Sequence, residues 1–283
     1  MSTLDLVVEP SRWTSLRKYT KIYRASLVER MAYRSDFLLG TLLRFLPTIT
    51  TILLWQAIYA GGGSKTQAGF RFNETIAYLL LTNISRVFSS MPGLAGGIAR
   101  DIREGTIKKY LIQPMDMIAY LVSYRTAHKT AYIVTSALPY ALLFFLCRGY
   151  FDTGWPDVMT CLAYAASLIL AFCIGFFFEV CVGMVGFWFL EVTSLLYIVM
   201  TLNFFISGHM LPLDFLPPFW FHVLKWLPFQ YMAYFPAVVA LGKVQGTELA
   251  IGLLGGVFWS IFFMLLARRL YNRGLRRYSA FGG

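Results

Sequence analysis

Six stretches of the sequence are each apolar over roughly the length a helix needs to cross a bilayer, about 20 residues for a ~30 Å hydrocarbon core. They run from about Phe37 to Ala60, Glu74 to Ile98, Ala131 to Tyr150, Val158 to Met184, Val192 to Leu211 and Leu249 to Ala267. The fourth and fifth nearly merge. They are separated around Phe187 to Glu191, because one helix from Val158 to Leu211 would overshoot any bilayer. Only 14% of the 283 residues are charged while 58% are hydrophobic, and a soluble domain usually carries about 25% charged residues. The mean hydropathy of +0.61 agrees. This excludes an ordinary soluble enzyme, a disordered chain and a disulfide-stapled secreted domain. The expected fold is an all-α polytopic membrane protein with six transmembrane helices.

The net charge of +11 could belong to a nucleic-acid binder, but its placement argues against one. Of the 25 Lys and Arg residues, 18 fall in residues 1–36, 100–129 and 268–283, and five on the opposite side: Lys65, Arg71, Arg148, Lys225 and Lys243. Under the positive-inside rule both termini are cytoplasmic, as an even number of spans requires. The N-terminal stretch is too charged, and the first apolar run too long, for a cleavable signal. Cys147, Cys161, Cys173 and Cys181 lie in or beside apolar runs without metal-ligand spacing.

Outside the spans three pieces stand out. Residues 1–36 form a cytoplasmic arm in which Arg12 to Arg34 reads as an interfacial helix. Trp13, Leu16, Thr20, Tyr23, Leu27 and Met31 share one arc, and Arg17, Lys18, Lys21 and Arg24 share another, with Ile22 on the wrong side. A solvated basic arm is the alternative. The cytoplasmic loop 100–129 contains Arg103 to Met115, where charges alternate with Ile107, Tyr110, Leu111 and Ile112 before Pro114. A short helix there would dock a soluble partner or lie on lipid headgroups. Residues 207–242 are apolar, yet Pro212, Pro217, Pro218, Pro228 and Pro236 forbid a single helix. Short re-entrant or extracellular helices between spans five and six are expected. Residues 268–283 make a basic cytoplasmic tail.

Catalytic chemistry is hard to find. His128, His209 and His222 are scattered, and neither an HExxH motif, a GxSxG turn nor a phosphate-binding loop is present. The chain reads as a non-catalytic membrane subunit, with a secondary transporter, a channel or a membrane-embedded enzyme as the alternatives. The charges inside spans are Arg44, Arg86 and Glu179. Each costs about 3 kcal/mol near the bilayer centre, so Glu179 is expected to pair with Arg44 or Arg86, the other arginine facing a hydrated cavity or snorkelling. Gly93 with Gly97 and Gly252 with Gly256 have the spacing of close helix contacts.

Taken together, these features resemble the permease subunits of the ABC-2 (type V) transporters, closest to bacterial ABC-2 family transporter proteins. The resemblance rests on the six-span core with its basic leading helix, on Arg103 to Met115, and above all on Ser207-Gly208, Pro212, Leu216-Pro217, Leu227-Pro228-Phe229, Tyr231, Pro236 and Leu241-Gly242. It implies an elbow helix over Arg12–Arg34 and an ATPase-docking coupling segment that includes Arg103, Glu104, Gly105, Thr106, Lys108, Lys109 and Tyr110. It also implies a dimer-interface pathway flanked by Asn83, Arg86, Asn203 and Phe204. The partners implied are separate ABC ATPase subunits, which would bind ATP and Mg, a second identical or related permease, and membrane lipid. The place implied is the bacterial cytoplasmic (inner) membrane, and the six-span domain covers 37–267. The apolar, aromatic walls favour a lipid-like or hydrophobic drug-like cargo.

Overall fold

The computed structural model describes residues 12–32, 34–61, 66–151, 156–189 and 191–278. The described chain is almost wholly helical. Its elements are α1 (Arg12–Ala32), α2 (Arg34–Gly61), a minimal antiparallel hairpin of β1 (Thr66–Gln67) and β2 (Phe70–Arg71), α3 (Phe72–Ser89), α4 (Leu94–Arg103), α5 (Lys108–Leu111), α6 (Met117–Leu146), α7 (Val158–Met184), α8 (Thr193–Ile206), α9 (Pro218–Trp226), α10 (Tyr234–Ala240) and α11 (Gly246–Arg277). They fall into two compact units: a smaller one from residues up to Thr41 and Lys108–Pro139, and a larger one from Leu42–Ile107 and Tyr140 onward.

Among the described residues three helices are long and apolar enough to cross a membrane: α6, α7 with its 3-10 extension to Phe187, and α11. The stretch Phe45–Gly61 of α2 and α8 are shorter apolar helices. In α7, 56% of the apolar window is buried, against 11% in α11, so α7 is the hub and α11 turns most of its surface outward. Ile251, Leu254, Phe258 and Ile261 are accordingly exposed, which suits lipid rather than water.

In the larger unit the sequence sets directions through small residues. On α7, a Cβ at Gly183 would come within 2.8 Å of the Ala95 carbonyl oxygen, and one at Gly186 within 3.1 Å of Ala99 Cα. Gly175 lies tight against the Ser89 carbonyl. α3 and α4 therefore run alongside α7 in the same direction. α11 does the same, with Gly256 against Leu170 and Gly274 against Phe187. α8 returns the other way, so that the Tyr78 hydroxyl of α3 donates to the Gly208 carbonyl at 2.6 Å. One end of this unit thus gathers Arg103, Glu191 and Tyr278. The other gathers Glu74, Lys243, Lys225 and Glu248.

Several sequence expectations need correction. The second apolar run is not one helix: α3 stops at Ser89, the chain turns through Met91-Pro92-Gly93, and Gly93 has φ +74° before α4 begins. Among the described residues a Cβ added at Gly93 or Gly97 would meet nothing within 4 Å, so neither seats a close helix contact there; Gly252 and Gly256 do, against Phe235 and Leu170. Much of the expected loop 100–129 is helix, because α6 begins at Met117. The tail is helical as far as Arg277, continuous with α11.

On α1 the half-buried positions are Lys18, Tyr19, Ile22, Tyr23, Leu27, Arg30 and Met31, around a buried Ser26, while Thr20 is exposed. The face thus keeps Tyr23, Leu27 and Met31 of the expected arc and adds Ile22, while Thr20 falls outside it; the side chains of Trp13 and Leu16 lie outside the described residues. Within the smaller unit Tyr23 Oη donates to Thr130 Oγ1 at 3.2 Å, and Tyr19 Oη accepts the Asp116 N–H at 3.1 Å. Arg30 donates to the Tyr124 hydroxyl. These bonds account for the half-buried tyrosines and arginine, whose polar partners lie on α6 and at Asp116 just before it.

Candidate functional site

A cavity of about 540 Å³ opens in the larger unit between α2, α3, the end of α6 and the chain around α8. Arg86, Asn83 and Phe204 line it, with Trp55, Tyr140 and His209. Three of the four pathway residues picked from sequence therefore line one cavity, Asn83 and Arg86 from α3 and Phe204 from α8. The fourth, Asn203, does not line this cavity; its Oδ1 is shielded and accepts no hydrogen bond among the described residues.

The polar groups of the cavity are arranged in sequence-local ways. Thr51 Oγ1 donates to the Pro47 carbonyl at 2.7 Å, Thr82 Oγ1 to Leu79 O at 2.9 Å, and Asn83 Nδ2 to the same Leu79 O at 3.0 Å. Threonines and asparagines on a helix satisfy themselves on its carbonyls in this way. Arg86 differs. Its guanidinium lies 5.1 Å from the centre of the Phe204 ring, a cation–π distance. Phe204 in turn stacks on His209, centroids 5.9 Å apart and planes within 7°. Ser207 Oγ holds His209 Nδ1 at 2.7 Å, and His209 Nε2 is shielded, with no hydrogen-bond partner among the described residues. Sequence reading missed Trp55, Tyr140 and His209. Only His209 carried a signal, two residues after the fully buried Ser207.

Glu179 lies at the break between α3 and α4, where its carboxylate accepts the Met91 N–H at 3.4 Å. The side chain of Arg44 lies outside the described residues.

The expected coupling segment is not one helix either. α4 ends at Arg103 with Glu104 as its cap, Gly105 takes φ +73°, and α5 is a single turn from Lys108. Gly105 is where a positive φ is needed, and it ends the helix there. In the larger unit Thr106 Oγ1 donates to the Asp101 carboxylate at 2.8 Å, and the Ile107 N–H donates to Asp101 O at 3.0 Å. Ile107 is fully buried while Arg103, Glu104 and Thr106 are exposed. Arg103 reaches Glu191 at 3.2 Å. In the smaller unit Lys108 and Lys109 are exposed, Lys109 Nζ lies 4.9 Å from the Tyr110 ring centre, and Tyr110 meets Tyr120 at 5.4 Å.

No curated protein matches this chain. The profile of the family described as "ABC-2 family transporter protein" matches residues 45–282, so it spans the cavity and the loop and leaves out α1. The match covers well over half of the chain, with the apolar helices inside it. The chain therefore belongs to the ABC-2 transporter family and is a membrane permease component of an ABC transport system.

Proposed function

We propose that this permease is one half of the membrane domain of an ATP-driven exporter, two such halves, identical or related, enclosing a pathway between them. Separate ABC ATPase subunits bind ATP and magnesium and dock at Arg103, Glu104, Gly105, Thr106, Lys108, Lys109 and Tyr110. Six helices cross the bacterial inner membrane with both termini in the cytoplasm, α1 serves as the elbow, and residues 207–242 form the broken outer segment. The cargo is lipid-like or a hydrophobic drug-like molecule, taken from the cytoplasm or inner leaflet. Closure of the ATPases pushes the loop, and the halves alternate between inward and outward access.

The observation that carries this reading is the loop itself. Asp101 ties it from within, Ile107 anchors it in the apolar interior, and its charges project outward. A contact that transmits force needs that combination, because a floppy loop would absorb the displacement. The gathering of Arg103, Glu191 and Tyr278 at one end of the larger unit supports a common cytoplasmic side for them.

Co-expression with an ABC ATPase in vesicles tests it. Charge reversal at Glu104, Lys108 and Lys109 is expected to abolish permease-stimulated ATP hydrolysis while thermal stability is kept. Translocation by the isolated chain on an ion gradient would overturn it.

A further inference from the structure

A second cavity of the larger unit, also about 540 Å³, is a groove along α11 that shares no residue with the one around Arg86. Its lining on α11 repeats at helical spacing: Glu248, Ile251, Gly252, Gly255, Phe258 and Trp259. The rise from Glu248 to Trp259 is ~16 Å, about half of the ~30 Å hydrocarbon core. The opposite wall is the broken segment before α11. There Tyr231 and Phe235 lie on the glycines, since a Cβ at Gly252 would run into the Phe235 ring and one at Gly255 into the Tyr231 hydroxyl. The two ends of the groove differ. At the start of α11 Lys225 Nζ donates to the Glu248 carboxylate at 3.1 Å and lies 5.2 Å from the Phe221 ring centre. Trp226 beside it is 83% exposed, the setting of an interfacial tryptophan. Lys225 and Glu248 are the only charged residues among the described lining. Toward Phe258 and Trp259 the walls are aliphatic and aromatic.

α11 is long and apolar enough to span the membrane and turns most of its surface outward. Ile251, Leu254 and Phe258 on the groove are exposed, so the groove opens onto the hydrocarbon phase. A trough one leaflet deep, apolar along its length and capped by an ion pair, has the dimensions of a phospholipid chain below its head. The pair stays closed in this arrangement: an ammonium has three N–H donors and a carboxylate several acceptor sites, so each takes a further group from outside. Side by side the two carry no net charge. They therefore match a zwitterionic head, phosphate over Lys225 and amine over Glu248, whereas the phosphate of an anionic head would meet Glu248 uncompensated. We propose that this groove holds one resident phospholipid with a zwitterionic head, its chain lying from Trp226 to Trp259. The proposal needs α11 to lie in a membrane and is independent of the exporter reading.

The test extracts the full-length chain from bilayers of phosphatidylethanolamine and phosphatidylglycerol in equal amounts, with identical chains. Lipid is stripped stepwise with detergent and counted by native mass spectrometry. One lipid per chain is expected to outlast the rest, phosphatidylethanolamine being enriched in it about two- to fivefold, the size of one exposed charge contact. Leu254→Trp, which fills the groove from an exposed position, should lose that last lipid. Ile261→Trp, exposed on α11 but outside the groove, should keep it. Glu248→Gln should keep the lipid and erase the head preference. The absence of a tightly held lipid overturns the proposal, as does one that survives Leu254→Trp unchanged. Phosphatidylglycerol held as well as or better than phosphatidylethanolamine by the wild-type chain overturns it too. A second copy of the chain as the occupant would appear as a dimer that Leu254→Trp splits, with the same consequence. If Leu254→Trp does not fold, Phe258→Ala, which removes an exposed part of the wall, decides: earlier release of the lipid supports the proposal and unchanged retention overturns it.

Discussion

Gly183 of α7 sits against the backbone of Ala95 in α4, where an added Cβ would lie 2.8 Å from the carbonyl oxygen. That separation is below any contact a methyl group tolerates, and backbone cannot swing aside as a side chain does. Gly183→Ala is therefore expected to destabilise the protein by about 1–3 kcal/mol, the cost of overpacking. Gly175→Ala, against the Ser89 carbonyl, should be at least as damaging. Gly97→Ala, in open space on α4, should be neutral or slightly stabilising. Thermal unfolding in detergent of the three variants checks the order.

Tyr78 is fully buried, and its hydroxyl is a hydrogen-bond donor to the Gly208 carbonyl. Tyr78→Phe leaves that carbonyl without this donor at unchanged volume, an expected loss of about 1–3 kcal/mol. Gly208→Ala should be worse, because Gly208 has φ +83° and a Cβ there would meet the Tyr78 hydroxyl at 2.7 Å. Yield of monodisperse protein and its melting temperature distinguish the two variants.

Lys243 holds the β-hairpin to the turn before α11. Its Nζ donates to the Glu74 carboxylate at 3.0 Å and to Gly69 O at 3.2 Å, and lies 3.8 Å from the Phe70 ring centre. These side chains are partly exposed, so Lys243→Met is expected to cost only about 1 kcal/mol globally. Locally the effect should be larger: amide exchange in residues 66–71 should quicken, while that of α7 stays unchanged.

Glu191 starts α8, its carboxylate accepting the Thr193 N–H at 2.8 Å. Bonding from Thr193, with the charge of Arg103 behind it, holds this carboxyl below the usual range. A folded-state pKa below the unfolded one contributes stability above the unfolded value and loses it as pH falls through the folded one. The first turn of α8 should therefore fray only as pH falls below the ordinary carboxylate value of about 4.3. In Glu191→Gln that pH dependence should vanish. Hydrogen exchange at residues 193–196 reads both.

The α7 run was legible as Val158 to Met184, because Asp157 caps its start and Glu179 is the one charged residue within it. The break after Ser89 was not. Apolar composition continues through Met91-Pro92-Gly93, and hydropathy is blind to a turn made of residues as apolar as the helix around it. The Pro-Gly pair was the signal to weigh. Hydropathy likewise says nothing of helix outside lipid, which hid the first turns of α6 from Met117 and the last of α11 to Arg277. In the cavity, Asn83, Arg86 and Phe204 stood out as polar or family-marked residues, whereas Trp55 and Tyr140 are ordinary aromatics until the fold turns them onto the same space.

The glycine seam has a mechanical corollary. Where α3–α4 meets α7, Gly175 and Gly183 lay main chain on main chain with no cushion of side chains to compress, while α11 sets Gly256 and Gly274 on the side chains of Leu170 and Phe187. A backbone-on-backbone seam has little room to compress, so a load applied near Asp101 would pass along α3–α4 and α7 toward the corner where Tyr78 grips Gly208, leaving the flanking elements to yield.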